Sequence, residues 1–144
     1  MADWKSNLGD FFEKKDANDA EIARELAQRK AELPVFFSTV VVPAFNELKE
    51  QLEKRNREVT VNGGDESASI RVELNNRLEL DYRIEINLWP SHANPYVVTM
   101  TREAGQTFRG VSAIKRGTDD STQNITKEDI AEDFLRLYKG QVGR

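Results

Sequence analysis

From Arg77 to Leu88 polar and apolar residues alternate without a break. Leu78, Leu80, Tyr82, Ile84, Ile86 and Leu88 hold one parity; Arg77, Glu79, Asp81, Arg83, Glu85 and Asn87 hold the other. A period of two over this length predicts a long antiparallel strand with one face on a core and one in water. Ile70, Val72 and Leu74 alternate with Arg71 and Glu73 in the same way, and Val59 and Val61 mark a short strand before the turn residues Asn62-Gly63-Gly64-Asp65. Residues Tyr96–Arg102 and Thr107–Lys115 read as two more strands joined around Ala104-Gly105-Gln106. Trp89–Pro95, with two prolines, reads as a loop.

Parity also constrains the hairpin at Asn75-Asn76. Cross-strand partners share a face, so a simple two-residue turn would set Leu74 against Arg77 and turn every later apolar residue of the strand to the wrong side. Register follows the core face. A three- or five-residue loop, or a bulge, is therefore expected between Leu74 and the long strand.

Before residue 58 the period is helical. Asn18-Asp19-Ala20-Glu21 has the form of a capped start, and Asp19–Leu33 is rich in helix formers with a narrow stripe at Ile22, Ala23, Leu26, Ala27 and Leu33. This predicts a surface helix packed along one side and ended by Pro34. Residues 3–15 are ambiguous: Leu8, Phe11 and Phe12 have helical spacing but Gly9 weakens a helix. Phe37, Val41, Phe45, Leu48 and Leu52 recur every three or four residues through Pro43. They predict a second helix, about Val35 to Asn56, kinked near Pro43. The β-branched run Val40-Val41-Val42 leaves an alternative in which the chain is extended there and Pro43 opens the helix. Near the C-terminus, Thr126 with Asp129 forms a capping box and Ile125 can staple onto Ile130. Ile130, Phe134, Leu137 and Tyr138 give that helix its apolar face, and Gly140 is its expected end.

Helices at the ends and strands between them predict an α+β fold. It comprises an N-terminal helical pair, a four- to five-stranded antiparallel sheet and a C-terminal helix packed on the sheet. The 144 residues are the length of one domain, expected as 1–144 with a helical half (1–57), the sheet (58–117) and the final helix (125–140).

Composition narrows the chemistry. Without Cys there is no disulfide, thiolate nucleophile or Cys-ligated metal, and a single His excludes a multi-histidine metal site. No cofactor is expected. The uncharged, largely apolar stretch Leu33–Asn46 has 14 residues, short of the roughly 20 that span a bilayer, so no membrane partner is expected. With no signal-like N-terminus and no Cys, the expected compartment is the cytoplasm. A net charge of -4 argues against generic binding to nucleic acid. A second alternative, a weak nucleic-acid binder, would use Lys54, Arg55, Arg57, Arg109, Lys115 and Arg116, which lack interleaved aromatics for stacking on bases.

Few residues remain that could act. His92 is the sole candidate base, and adjacent Ser91 is badly placed in sequence for it. A small ligand or enzyme site, if present, would lie near Trp89, His92 and Tyr96. Arg77, Glu79, Asp81, Arg83 and Glu85 would form a charged row on the solvated sheet face, a polar platform for a partner. Trp4, Phe11 and Phe12 would dock on the body or stand out as an anchor for a partner or a second copy. The expectation is a small non-enzymatic interaction module, of adaptor, chaperone or inhibitor type, that binds another protein or itself.

Overall fold

The computed structural model describes residues 3–114 and 121–143. Its elements are α1 (Trp4–Phe36), a π-helical turn (Phe37–Val41), α2 (Val42–Glu53), β1 (Glu58–Asn62), β2 (Ala68–Leu74), β3 (Arg77–Leu88), β4 (Ala93–Glu103), β5 (Gln106–Ala113) and α3 (Lys127–Val142). The strands form one antiparallel sheet in the order β1-β2-β3-β4-β5. The α+β class and the antiparallel sheet are as expected.

The expected helical pair is instead one joined helical rod. The helix starts at an Asp3 cap, whose carboxylate accepts from the Lys5 N–H at 3.0 Å, and Asn18 lies in mid-helix. Pro34 does not end it. Leu33, Phe36 and Phe37 are all buried, and their burial outweighs a proline cost of about 3 kcal/mol. Where a kink near Pro43 is expected, the rod passes through the π turn, and Pro43 is the second residue of α2, just after the wider turn has departed from the regular i→i−4 ladder. Ser38 and Thr39 hydroxyls both donate to the Val35 carbonyl, at 3.3 and 2.6 Å, within this wider turn. The stretch expected in the alternative to be extended is helical throughout.

The core lies between one sheet face and the helices. Phe37, Val41, Phe45 and Leu48 from the rod meet Ile70, Val72, Leu80, Tyr82, Ile84 and Val97 from the sheet and Ile130 and Phe134 from α3. A chain of ring contacts runs through it. Phe45 meets Tyr82 edge-on at 5.9 Å, Tyr82 meets Phe134 at 5.5 Å, and Phe134 stacks on Tyr138 at 5.6 Å. The Thr126–Asp129 capping box forms at 3.1 and 2.9 Å, over buried Ile125 and Ile130. Gly140 does not stop α3, which runs on to Val142 with Gly143 as its cap. Strand β4 begins at Ala93 rather than Tyr96, and β5 ends at Ala113; Lys115 and Arg116 lie outside the described residues.

Both demands of the hairpin are met. Asn75 and Asn76 make a two-residue turn with φ of 52° and 63°, the left-handed pair of a hairpin turn. Leu74 then opposes Arg77, and Glu73 opposes Leu78, but Val72 opposes Leu80. The extra residue, Glu79, is a β-bulge that restores the core parity from Leu80 onward.

Candidate functional site

The first region is the free part of α1. Every residue from Asp3 to Arg24 is exposed, so the expected one-sided packing is confined to the C-terminal end of this helix. Trp4, Leu8, Phe11 and Phe12 lie on this arm at helical spacing and are between 48% and 68% exposed. Trp4, Phe11 and Phe12 thus take the outward alternative, not docking on the body. Phe11 and Phe12 contact each other edge-on at 5.3 Å, and the Lys5 ammonium lies 5.7 Å from the Trp4 ring. Leu8 belongs with them, as its spacing of four from Trp4 and Phe12 foretells.

The second region is the sheet face opposite the helices. Asp81, Arg83 and Glu85 share it, as the alternation requires. Arg71 lies 3.0 Å from Glu73 and 3.8 Å from Asp81, and Arg83 lies 3.9 Å from Glu85. The Tyr96 hydroxyl donates to Glu85 at 2.7 Å, which raises the Tyr96 pKa. Burial raises the carboxyl of Asp81, against the pull of Arg71 and Arg83. Two members leave the expected row. The bulge turns Glu79 toward Arg57 and toward Tyr138 of α3, whose hydroxyl donates to its carboxylate at 2.7 Å. Arg77 stands at the hairpin end, opposite Leu74. The charged row on this face is therefore Asp81, Arg83 and Glu85 with Arg71, Glu73 and Tyr96.

The third region is the Trp89–His92 loop. Trp89 and His92 exchange two backbone hydrogen bonds, at 2.9 and 3.3 Å, and their rings stack at 6.2 Å. Ser91 Oγ is hydrogen-bonded to His92 Nδ1 at 2.7 Å, so sequence adjacency does not keep the two apart. Among the described residues no carboxylate orients the imidazole, and both side chains are exposed. Trp89 and Tyr96 share a shallow cleft of about 460 Å³ with Asn87, Asn94 and Val111, while His92 lies outside its lining.

Of the basic residues, Lys115 and Arg116 lie outside the described residues. Arg57 is committed to Glu79, Lys54 lies 3.9 Å from Glu50, and Arg109 is on β5. Among the described residues no cluster of three metal-ligating side chains occurs, and no helix is long and apolar enough to cross a membrane.

Sequence reading missed one interior group. Asp133 of α3 is buried, accepts from the Tyr82 hydroxyl at 2.7 Å and pairs with Arg136 at 2.8 Å. Its signal is visible in retrospect: Asp133 falls on the apolar stripe between Ile130 and Leu137. It ties α3 to the central strand.

Compared with protein-family models, curated proteins and solved structures, the chain shows no match.

Proposed function

We propose that the chain is a small non-enzymatic protein-interaction module of adaptor, chaperone or inhibitor type, working in the cytoplasm, with α1 as its docking arm. One observation carries this reading: the exposed arm from Asp3 to Arg24 bears Trp4, Leu8, Phe11 and Phe12 in solvent. Most helical stability in proteins comes from packing an apolar face, and the face of this segment is left exposed. Large apolar side chains left exposed forgo about 1.5–3 kcal/mol each relative to burial. A partner that covers the stripe stabilises the helix and the complex together.

The mode is helix-in-groove: the partner offers an apolar groove that takes anchors about one helical turn apart. A second copy of the arm offers such a surface as well. The arm carries both signs of charge along its length, which suits a protein partner better than an anionic surface.

The test compares the full chain with a variant in which Trp4, Leu8, Phe11 and Phe12 are all replaced by Gln. Sedimentation velocity over a range of concentrations reads self-association, and capture from native lysate at fixed stoichiometry reads a foreign partner. The reading requires one of these to be lost in the variant while the unfolding midpoint of the body is kept. Equal behaviour of the two proteins in both assays rejects it.

A further inference from the structure

The bulge at Glu79 also opens the sheet. The β3–β4 ladder runs from Leu88↔Ala93 only as far as Asp81↔Met100. Beyond that pair, β3 continues to Arg77 paired with β2, and β4 continues to Glu103 paired with β5. The sheet therefore forks between the two hairpin ends. One cleft of the fork, about 400 Å³, is lined by Asn76, Arg77, Leu78, Arg102, Ala104 and Gly105. The other, about 650 Å³, shares Arg77, Leu78 and Arg102 and reaches Gln141 and Val142 of α3. Both volumes fall within the roughly 300–1,000 Å³ range of small-molecule sites.

The charges in the fork are unevenly committed. Glu79 accepts from Arg57 at 3.0 and 3.3 Å and from Tyr138 at 2.7 Å. Glu103 accepts from Gln141 Nε2 at 3.2 Å. The side chains of Arg77 and Arg102 have no ion-pair or hydrogen-bond partner among the described residues, yet both residues line both clefts. Two arginines border one opening, Arg77 opposite Leu74 at the end of the β2–β3 ladder and Arg102 on β4, and with the neighbouring acids already held they offer N–H donors to an oxyanion.

We infer that the fork between β3 and β4 is a binding site for a small oxyanion, a phosphate ester or a carboxylate, held by Arg77 and Arg102. Leu78 supplies an apolar wall for whatever carries the anionic group. This site is independent of the docking arm, which lies on α1, and the failure of one reading leaves the other standing.

The test is titration of the isotope-labelled full chain with inorganic phosphate and, separately, with acetate, followed by backbone amide shifts. The site predicts saturable shifts concentrated at residues 76–79 and 101–105. Arg77→Gln and Arg102→Gln should each weaken binding about fivefold or more, the loss expected for a charge-assisted pair, with the remaining spectrum unchanged. Arg83→Gln, beside Glu85 and outside the lining of both clefts, should bind as the parent does. Phosphate saturating where acetate does not identifies the phosphate ester, acetate saturating where phosphate does not identifies the carboxylate, and equal saturation supports the oxyanion site without selectivity. Shifts that fail to saturate with both probes, or that weaken equally in Arg83→Gln, overturn the site.

Discussion

Arg57 grips Glu79 with two parallel hydrogen bonds, Nε to Oε1 at 3.0 Å and Nη2 to Oε2 at 3.3 Å. The pair links the end of the helical rod to a strand twenty-two residues away in sequence, and it exists because the β-bulge places Glu79 out of step with the row it was expected to join. Glu79→Ala removes the acceptor of both the Tyr138 hydroxyl and the Arg57 Nε and Nη2 groups, leaving Arg57 only its bond to the Arg55 carbonyl. The expected cost is about 1.5–3 kcal/mol, read by chemical denaturation. Arg83→Ala on the open face should stay within about 0.5 kcal/mol. Equal costs would mean that the bulge does not turn Glu79 inward.

The Tyr82–Asp133 hydrogen bond anchors α3 to the central strand. Tyr82→Phe removes the donor and leaves Asp133 buried with Arg136 alone. A loss of about 1–3 kcal/mol is expected. An unchanged unfolding midpoint would show that Arg136 alone satisfies the carboxylate.

Thr126→Ala removes the acceptor for the Asp129 N–H and breaks the capping box. It should lower stability by about 0.5–2 kcal/mol without changing the hydrodynamic size. A change in association state with Thr126→Ala would place α3, rather than α1, at the interface.

Alkaline pH should weaken the fold. Burial and the Asp133 carboxylate push the Tyr82 phenol well above its ordinary 10.0, and burial and Glu79 push Tyr138 up to about 12. A phenol whose folded pKa is raised keeps its proton in the native state while the unfolded chain releases it. Its contribution to stability is fully present below pH 10.0 and is lost as pH rises toward the folded values. Unfolding midpoints should therefore hold to about pH 10 and fall beyond it. Tyr138→Phe should flatten that fall. A pH-independent midpoint across this window would contradict the buried placement of both phenols.

Local pattern fixes the strands because a period of two is written residue by residue. It also demands a correction somewhere in the β2–β3 hairpin. It cannot say that the correction falls at Glu79, since alternation counted through a bulge assigns the bulged residue to the wrong face. The helical rod is less legible for the opposite reason. Pro34 and Gly9 argue locally against a helix, and only the burial of Leu33, Phe36 and Phe37 against distant strands decides for it at Pro34. Asn18 has the residues of a cap but continues a helix begun at Asp3. For the candidate sites, the aromatics of α1 are visible in the sequence, but their exposure is not, because it depends on where the rod leaves the core. Arg102 and the fork are not legible, because they depend on where the β3–β4 ladder ends.

The central claim, that α1 is a docking arm, is tested most directly by sedimentation velocity combined with stoichiometric capture from lysate. The assays compare the parent with the variant carrying Gln at positions 4, 8, 11 and 12. The account predicts that the parent self-associates or retains a partner at fixed stoichiometry, and that the variant loses that association with its unfolding midpoint intact. A variant that sediments as the parent does and retains the same partners would contradict it.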